Sequence, residues 1–204
     1  MSEKYRTERE KRGNPLIDMK KICCVGDSNT YGYDPRVPLE FRYSEEVRWT
    51  CRIQNPERDI YNMGMNGLMI PRAPSYYNIP EWIRQSGPMD EIVVMLGTND
   101  LLERSTAEET AARMKTFLRK LMEDNEPSSI LLLAPPVFRS GEWVEGEAMI
   151  EESRRLGPLY EKLAEELKIR FADTGRWGIE VLYDGVHFSP EGHQVFAKQL
   201  DKLL

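Results

Sequence analysis

The sequence predicts an α/β protein, in which helices cover both faces of a five-stranded parallel sheet to give a three-layer α/β/α sandwich. Apolar runs of strand length alternate along the chain with segments of helical periodicity, and this alternation is typical of parallel sheets. The run at 91–96 is almost continuously apolar, as expected of a central strand that is buried on both faces. Glycine-marked turns follow three of the runs, which places polar loops at one edge of the sheet. The predicted strands occupy residues 22–25, 59–63, 91–96, 129–134 and 169–173.

Helices are predicted between the strands from apolar periodicity and from signals at their first residues. Ser44 is followed by two glutamates, Thr106 and Glu109 form a capping-box pattern, and Pro190 suits a first helical turn. A long helix that ends near residue 167 contains Gly and Pro at 157–158, which predict a kink or a division into two helices.

The length and organisation of the chain fit one folded domain. The chain has 204 residues, enough to bury a sizeable core, and it shows neither internal repeats nor a dividing linker. Residues 1–18 alternate charges without an apolar face, so we expect a flexible N-terminal arm there. The folded domain is then expected to span residues 19–204.

Charge and hydropathy limit the classes of partner and the cellular compartment that we expect for the protein. The formal net charge is -6, which disfavours a surface that tracks phosphates, so nucleic acid is not expected as a partner. No apolar stretch approaches the ~20 residues that span a bilayer, and the N-terminus lacks the apolar core of a signal peptide. We therefore expect a cytoplasmic protein without a membrane partner.

The cysteines and histidines predict neither a disulfide framework nor a metal site. The three cysteines are odd in number and lack the spacing of metal ligands, so buried free thiols are the expected form. A nucleophilic Cys24 stays open as an alternative, although it would lie inside the first strand. The two histidines and the scattered acids show no recurring ligand spacing, and neither a Walker-type phosphate loop nor a dinucleotide fingerprint is present, so no metal and no cofactor are expected.

Four polar segments are expected at the same edge of the sheet, because the carboxyl ends of parallel strands lie together. They are Gly-Asp-Ser at 26–28, Gly-Met-Asn-Gly at 64–67, Gly-Thr-Asn at 97–99, and the loop that carries Asp184 and His187. Together they supply a hydroxyl, an amide, a carboxylate and an imidazole, which are the groups that acyl transfer requires. The serine of the first segment could by itself be a helix N-cap, and the other three segments favour a nucleophile.

In this order, the four segments resemble the SGNH branch of the GDSL hydrolases, and the similarity covers the chain from residue 19 onward. The flanking sequences at 26–32, 42–50 and 95–100 are similar to the bacterial arylesterase, acyltransferase and perhydrolase subgroup. The resemblance implies a flavodoxin-like sandwich and a serine esterase that forms an acyl-enzyme and passes short acyl groups to water or to another alcohol. It also implies a small-molecule ester as substrate. Because proteins of the subgroup often form homo-oligomers, the resemblance gives homo-oligomerisation as a further hypothesis.

Carried over residue by residue, the resemblance implies a triad of Ser28, Asp184 and His187. Ser28 is the expected nucleophile, His187 the general base, and Asp184 the acid that orients the imidazole. The expected oxyanion hole consists of the Ser28 N–H, the Gly67 N–H and the side-chain amide of Asn99.

Positions that depart from the pattern of the relatives predict the walls of the substrate pocket. Asn29 and Tyr31 stand where many relatives carry apolar residues or tryptophan, and Met65 gives the second segment its own character. We expect these three side chains to contact the acyl group or the alcohol, although Tyr31 could equally be a core aromatic. For the backbone N–H that the second segment contributes to the oxyanion hole, Gly64 is the alternative to Gly67.

Three further polar residues are expected to have structural roles. Asp27 should order its loop, Asp100 should brace the turn that carries Asn99, and His193 should lie at the surface or cap the last helix.

Two groups of functions stay open beside the esterase. Within the same chemistry, the alternatives are a thioesterase and a lysophospholipase. From a different class, a non-catalytic module that binds a carbohydrate or an acyl group could use the same scaffold, although such a module should lose the nucleophile or the base.

Overall fold

The protein has the predicted five-stranded parallel sheet. A computed structural model describes residues 19–37, 42–71, 78–125 and 128–204, and the arm expected at 1–18 lies outside these residues. The strands are β1 (Lys20–Gly26), β2 (Arg58–Gly64), β3 (Glu91–Met95), β4 (Ser129–Ala134) and β5 (Arg170–Asp173). They lie in the order β2–β1–β3–β4–β5, and every neighbouring pair is parallel. This is the flavodoxin-like order, whose reversal at β1 and β3 creates a crevice for ligands.

The α-helices of the described residues lie between these strands or, for the last one, after β5. They are α1 (Ser28–Tyr31), α2 (Trp49–Arg52), α3 (Asn78–Gln85), α4 (Thr98–Leu102), α5 (Ala107–Asp124), α6 (Glu147–Leu167) and α7 (Pro190–Leu200). The predicted capping box opens α5, where Thr106 and Glu109 each accept a hydrogen bond from the backbone N–H of the other. In the part of the chain that the structure describes, no helix is long and apolar enough to cross a membrane.

Side chains that alternate along the strands enter two separate apolar layers. On one face, Val25 of β1 and Val94 of β3 pack with α3, α5 and α6. On the other face, Cys24 of β1 and Val93 of β3 pack with α2 and α7. The three-layer α/β/α sandwich is therefore confirmed.

The helix predicted from Ser44 onward is shorter than expected. Ser44 begins a turn, and the helix starts only at Trp49, because Arg48 adopts an extended ψ of 126°. Trp49 is held by long-range contacts: its indole N–H donates to the Asn29 carbonyl at 2.9 Å, and its backbone N–H donates to His193 Nδ1 at 3.4 Å. These tertiary contacts outweigh the local capping signal.

Helix α6 is continuous through Pro158, so the predicted division into two helices does not occur. The neighbouring Gly157 faces the end of β5, where an added Cβ would lie 3.2 Å from Asp173 Oδ2. The Gly-Pro pair therefore marks a close contact between helix and sheet rather than a helix boundary.

A buried hydrogen bond joins α6 to the end of the central strand. Tyr160 is fully buried, and its hydroxyl donates to the carbonyl of Leu96 at 3.0 Å. Leu96 follows β3 directly and precedes the Gly97 that introduces α4. This bond therefore holds the sheet edge at which the polar segments meet.

Tyr160→Phe removes this hydroxyl and keeps the ring. We expect the free energy of unfolding to fall by about 1–2 kcal/mol, because the Leu96 carbonyl loses a buried partner. Urea denaturation followed by circular dichroism measures the change. The control is Tyr183→Phe, at an exposed tyrosine, which should change the free energy of unfolding by less than about 0.5 kcal/mol. Equal losses in the two variants would contradict a stabilising role for the buried bond.

Candidate active site

The turn after β1 presents Ser28 at the carboxyl edge of the sheet. Asp27 caps α1 by accepting a hydrogen bond from the backbone N–H of Asn29 at 3.0 Å. The cap is therefore Asp27 rather than Ser28, whose hydroxyl has another partner. A Cβ at Gly26 would lie 2.0 Å from the hydroxyl oxygen of Thr30, so glycine permits this tight turn.

Ser28, His187 and Asp184 form a continuous chain of hydrogen bonds. His187 Nε2 lies 3.0 Å from Ser28 Oγ, and His187 Nδ1 lies 2.7 Å from Asp184 Oδ2. All three residues are buried. Because an ionised carboxylate can only accept, Nδ1 carries the proton and Nε2 is the acceptor that faces the Ser28 hydroxyl. Such an arrangement is the kind that serine acyl-transfer enzymes use.

The Asp184 carboxylate is kept ionised by the loop that carries it. Burial alone would raise its pKa, but hydrogen bonds from the His187 ring and from the backbone N–H groups of His187 and Val186 outweigh this effect, so its pKa is lowered. Both backbone N–H groups reach Oδ1 at 2.9 Å, which leaves Oδ2 for the imidazole. A carboxylate held in this way fixes the tautomer and the orientation of His187.

Two aromatic rings lie against the His187 imidazole. The centroid of the Tyr33 ring lies 4.8 Å from that of the imidazole, and Trp143 makes an edge-to-face contact at 4.7 Å. The sequence indicates no role for Tyr33, and it is compatible with Trp143 in the core, at the rim or in the wall of a pocket. The one sequence signal is that both lie in loops, where aromatic residues can line a pocket.

The two residues predicted to complete the oxyanion hole lie beside one pocket. Asn99 is in the first turn of α4, and its side-chain nitrogen donates to the carbonyl of Leu68 at 3.0 Å. This nitrogen carries two hydrogens, so the bond orients the amide and leaves a second N–H for a ligand. Gly67 lines the same pocket and has a left-handed φ of +71°.

Glycine is favoured at positions 64 and 67 for different structural reasons. A Cβ at Gly64 would lie 2.2 Å from the backbone nitrogen of Tyr31, so the end of β2 packs against α1 only without a side chain. A Cβ at Gly67 would meet nothing within 4 Å, and there the left-handed φ favours glycine. Packing thus explains Gly64, whereas the shape of the turn explains Gly67.

Two other buried carboxylates hold the turns around the site. Asp100 accepts a hydrogen bond from the backbone N–H of Ile70 and pairs with Arg113 of α5, both at 3.0 Å. It therefore ties the loop after β2 to α4 and α5, in agreement with its expected role as a brace. Asp27 caps α1, and burial raises its pKa although hydrogen bonds from Thr98 and the backbone act in the opposite direction.

A pocket of about 380 Å³, within the size range of small-molecule sites, lies beside two of the predicted oxyanion residues, whereas Ser28 and His187 are not among the described residues that line it. Asn99 and Gly67 lie on its wall, as does Trp143, whose ring also contacts His187. Arg104 and Glu145 form an ion pair in the lining. The other lining residues are Met69, Leu102, Glu103, Glu142 and Met149.

The three side chains predicted to contact the substrate are not among the described residues that line this pocket. Tyr31 faces Arg42, whose guanidinium carbon lies 4.2 Å from the centre of the tyrosine ring. Asn29 is buried, and its amide bonds to the backbone of the loop that carries His187. Met65 is exposed in the turn after β2. The side chains of Asn29 and Tyr31 therefore have partners outside the described pocket. Contact of Tyr31 or Met65 with a substrate stays a prediction.

The cysteines of the first strand are unsuited to nucleophilic attack. Burial inside β1 raises the pKa of Cys23 to about 12 and that of Cys24 well above its ordinary value. Because Cys24 is also fully buried inside the strand, the structure argues against the alternative of a nucleophilic Cys24. Within the described ranges, no group of three or more His, Cys, Asp or Glu could hold a metal ion.

His193 is a core residue, so its expected place at the surface or at a helix cap is wrong. It is fully buried in α7, where its Nδ1 accepts a hydrogen bond from the backbone N–H of Trp49. The rings of Tyr43 and Phe188 contact its imidazole edge to face. Burial lowers the pKa of His193 to about 3; nearby arginines add to this effect and a carboxylate opposes it.

Fold and side-chain geometry together are of the kind found in serine acyl hydrolases. The GDSL-like Lipase/Acylhydrolase family model matches residues 24–195, a span that includes all four polar segments. The chain belongs to this family, and the resemblance seen in the sequence is confirmed. A search of curated proteins gave no significant match.

Solved structures of similar fold include esterases. A carbohydrate acetylesterase family member from Sinorhizobium meliloti is 27% identical, with a TM-score of 0.79, over 91% of this chain and 97% of that chain. The aryl esterase of M. smegmatis is 24% identical, with a TM-score of 0.77, over 91% of this chain and 100% of that chain. The second likeness is one of fold alone.

The buried His193 predicts a stability that declines on acidification. Between pH 6.5 and about 3, the unfolded chain binds a proton here that the folded chain does not, so the free energy of unfolding falls as the pH falls. From pH 6.5 to about 4, the expected loss is on the order of 3 kcal/mol. His193→Gln removes this titration, so its free energy of unfolding in urea should depend less on pH. Parallel pH profiles for the two proteins would contradict this account.

Proposed function

We propose that this protein is a serine esterase that removes short acyl groups from small-molecule esters. The observation that carries the proposal is the chain of hydrogen bonds from Ser28 Oγ through His187 to Asp184, with distances of 3.0 and 2.7 Å. A pocket that includes Asn99 and Gly67 is also lined by Trp143, whose ring contacts His187. Membership of the GDSL-like Lipase/Acylhydrolase family supports the same class of reaction.

Acylation begins when the Ser28 oxygen attacks the carbonyl carbon of the ester. His187 Nε2 takes the hydroxyl proton as the new C–O bond forms, because Nδ1 is already engaged as a donor to Asp184. Asp184, whose pKa is lowered, stabilises the imidazolium that results. Collapse of the tetrahedral intermediate passes the proton from Nε2 to the leaving alcohol and leaves the acyl group on Ser28.

Deacylation repeats these steps with water as the nucleophile. His187 Nε2 accepts a proton from the water that attacks the acyl-enzyme, and returns it to Ser28 Oγ when the carboxylic acid leaves. An alcohol in place of water gives acyl transfer instead of hydrolysis. The rings of Tyr33 and Trp143 support both steps, because they restrict the orientation of the imidazole.

The negative charge of each tetrahedral intermediate requires N–H donors. We assign this role to the backbone N–H groups of Ser28 and Gly67 and to the second side-chain N–H of Asn99. The bond from Asn99 to the Leu68 carbonyl supports the assignment, because it orients the amide before a substrate arrives.

The size and charge of the pocket favour a small acyl group and an alcohol without negative charge. Its volume of about 380 Å³ lies near the lower end for small-molecule sites. Glu103 and Glu142 add negative charge to the lining, whereas Arg104 is paired with Glu145. Acetyl esters of neutral alcohols fit these properties, and the similar structure from Sinorhizobium meliloti carries the name of a carbohydrate acetylesterase family member.

The same features argue against the other functions. Coenzyme A thioesters and lysophospholipids carry phosphate groups, which an acidic pocket repels. A non-catalytic binding module needs no nucleophile, base and acid at hydrogen-bond distances. The intact chain of Ser28, His187 and Asp184 therefore favours an enzyme over a module that binds a carbohydrate or an acyl group.

A panel of p-nitrophenyl acetate, butyrate and octanoate tests the proposed reaction. We expect the highest kcat/KM for the acetate, and Ser28→Ala should lower kcat by at least about 10⁴-fold, because the nucleophile is lost. Ser86→Ala removes an exposed hydroxyl just beyond α3 and should keep wild-type activity. Undiminished hydrolysis by Ser28→Ala would overturn the proposal. A preference for acyl-coenzyme A or lysophosphatidylcholine would replace it with one of the alternatives.

Asn99→Ala should slow the chemical step and leave the fold intact. Loss of one oxyanion donor costs about 10²–10³-fold in kcat with little change in KM, because the donor acts on charge that develops only in the intermediate. Steady-state kinetics with p-nitrophenyl acetate measures the effect, and urea denaturation checks that the variant is folded. A folded variant with wild-type kcat would remove Asn99 from the oxyanion hole.

A further inference from the structure

We propose that Asn29 is a positioning residue that sets the distance between Ser28 and His187, a role that rests on the esterase function proposed above. The sequence interpretation put Asn29 in the substrate pocket. Its surroundings point to a different task, because the side chain is buried and both of its polar atoms bond to the loop that carries His187.

The Asn29 carboxamide bonds to the backbone on both sides of His187. Its Nδ2 donates to the carbonyl of Val186 at 3.2 Å, and its Oδ1 accepts from the N–H of Phe188 at 2.9 Å. A carbonyl can only accept and a backbone N–H can only donate, so these partners fix which amide atom is which. The imidazole therefore projects from the one residue that lies between two clamped peptide groups.

The other polar atoms of these two peptide groups, the His187 N–H and the His187 carbonyl, bond within the loop. The His187 N–H donates to Asp184 Oδ1 at 2.9 Å, and the His187 carbonyl accepts from the N–H of Leu182 at 2.7 Å. These bonds give the loop its internal shape, but they do not join it to the turn that carries Ser28. The Asn29 side chain supplies such a join.

The backbone of Asn29 is also held by buried hydrogen bonds. The Asn29 N–H donates to Asp27 Oδ1 at 3.0 Å, and the Asn29 carbonyl accepts from the indole N–H of Trp49 at 2.9 Å. One peptide bond separates Asn29 from Ser28. A short path of covalent and buried hydrogen bonds thus connects the nucleophile to the base.

The link matters because proton transfer depends steeply on the separation of the two atoms. Ser28 Oγ and His187 Nε2 lie 3.0 Å apart, within the reach that general-base catalysis requires. A misplacement of about 1 Å can cost about 10²-fold in rate. The Asn29 side chain is not part of the pocket described above, so its loss should lower kcat and leave KM nearly unchanged.

Three variants separate positioning from simple stabilisation. Asn29→Leu removes both bonds at similar volume and should lower kcat by about 10²-fold, whereas Asn29→Asp keeps the acceptor for the Phe188 N–H and should lose less. Tyr43→Phe is the matched control, because the buried Tyr43 hydroxyl donates to the Phe188 carbonyl at 3.1 Å, in the same loop, from a residue that is not adjacent to Ser28 in the chain. It should lose a comparable buried hydrogen bond and keep kcat.

Histidine NMR supplies a readout that needs no ester turnover. The chain contains two histidines, so ¹⁵N labelling of histidine gives two imidazoles, which His193→Gln assigns. In the wild type, the bond to Asp184 should protect the His187 Nδ1–H from exchange with water. In Asn29→Leu this signal should broaden, because the imidazole no longer keeps one position, and in Tyr43→Phe it should stay sharp.

The two readouts decide the proposal together. A broadened His187 signal with a lower kcat in Asn29→Leu, and neither change in Tyr43→Phe, would support the link. A sharp signal and wild-type kcat in both Asn29 variants would overturn it. If the wild type hydrolyses no ester, the proposed function fails, and the NMR signal alone decides whether Asn29 positions His187. If Asn29→Leu does not fold, Asn29→Asp decides by the same measurements.

Discussion

The candidate site depends on hydrogen bonds that join the first turn of the sheet to a loop far along the chain. Ser28 and Asn29 bond to residues 186–188 across separations of 157 to 159 residues. The turn supplies the hydroxyl, and the distant loop supplies the imidazole and the carboxylate, so neither segment contains the whole constellation. The parallel sheet provides the common edge at which these segments meet. The site is therefore a product of topology as much as of the residues that carry it.

Much of the sheet could be predicted from the sequence, because its signals are local. The fourth strand has the predicted bounds, Ser129–Ala134, and the other strands differ from prediction by one or two residues at one or both ends. The capping box at Thr106 likewise needs only its own neighbours. The helix expected from Ser44 failed for the opposite reason, since Trp49 is fixed by Asn29 and by His193, which no local pattern can indicate. Local periodicity thus predicts elements, and long-range contacts decide where some of them begin.

The site could be predicted in part, because the sequence places residues at strand ends but does not tell where their side chains turn. Strand ends were enough to expect Ser28, Asp184 and His187 together, and the structure brings them within hydrogen-bond distance. They were not enough for Asn29. The sequence shows an amide side chain next to the expected nucleophile, but it does not show whether this side chain faces a ligand or bonds to buried backbone. The sequence left Trp143 in the core, at the rim or in a pocket wall, because the loop before α6 has no periodicity that fixes its path.

The long separation between Ser28 and His187 has a consequence for the order in which the molecule is made. A ribosome releases the turn after β1 early, whereas the loop at 184–188 emerges more than 150 residues later. Contacts of such sequence separation form late, once the intervening elements have folded. On the proposed function, the nascent polypeptide therefore carries a serine without its base through most of its translation. On the same proposal, a chain interrupted before the loop would lack the base, and hydrolytic activity would appear only with the assembled fold.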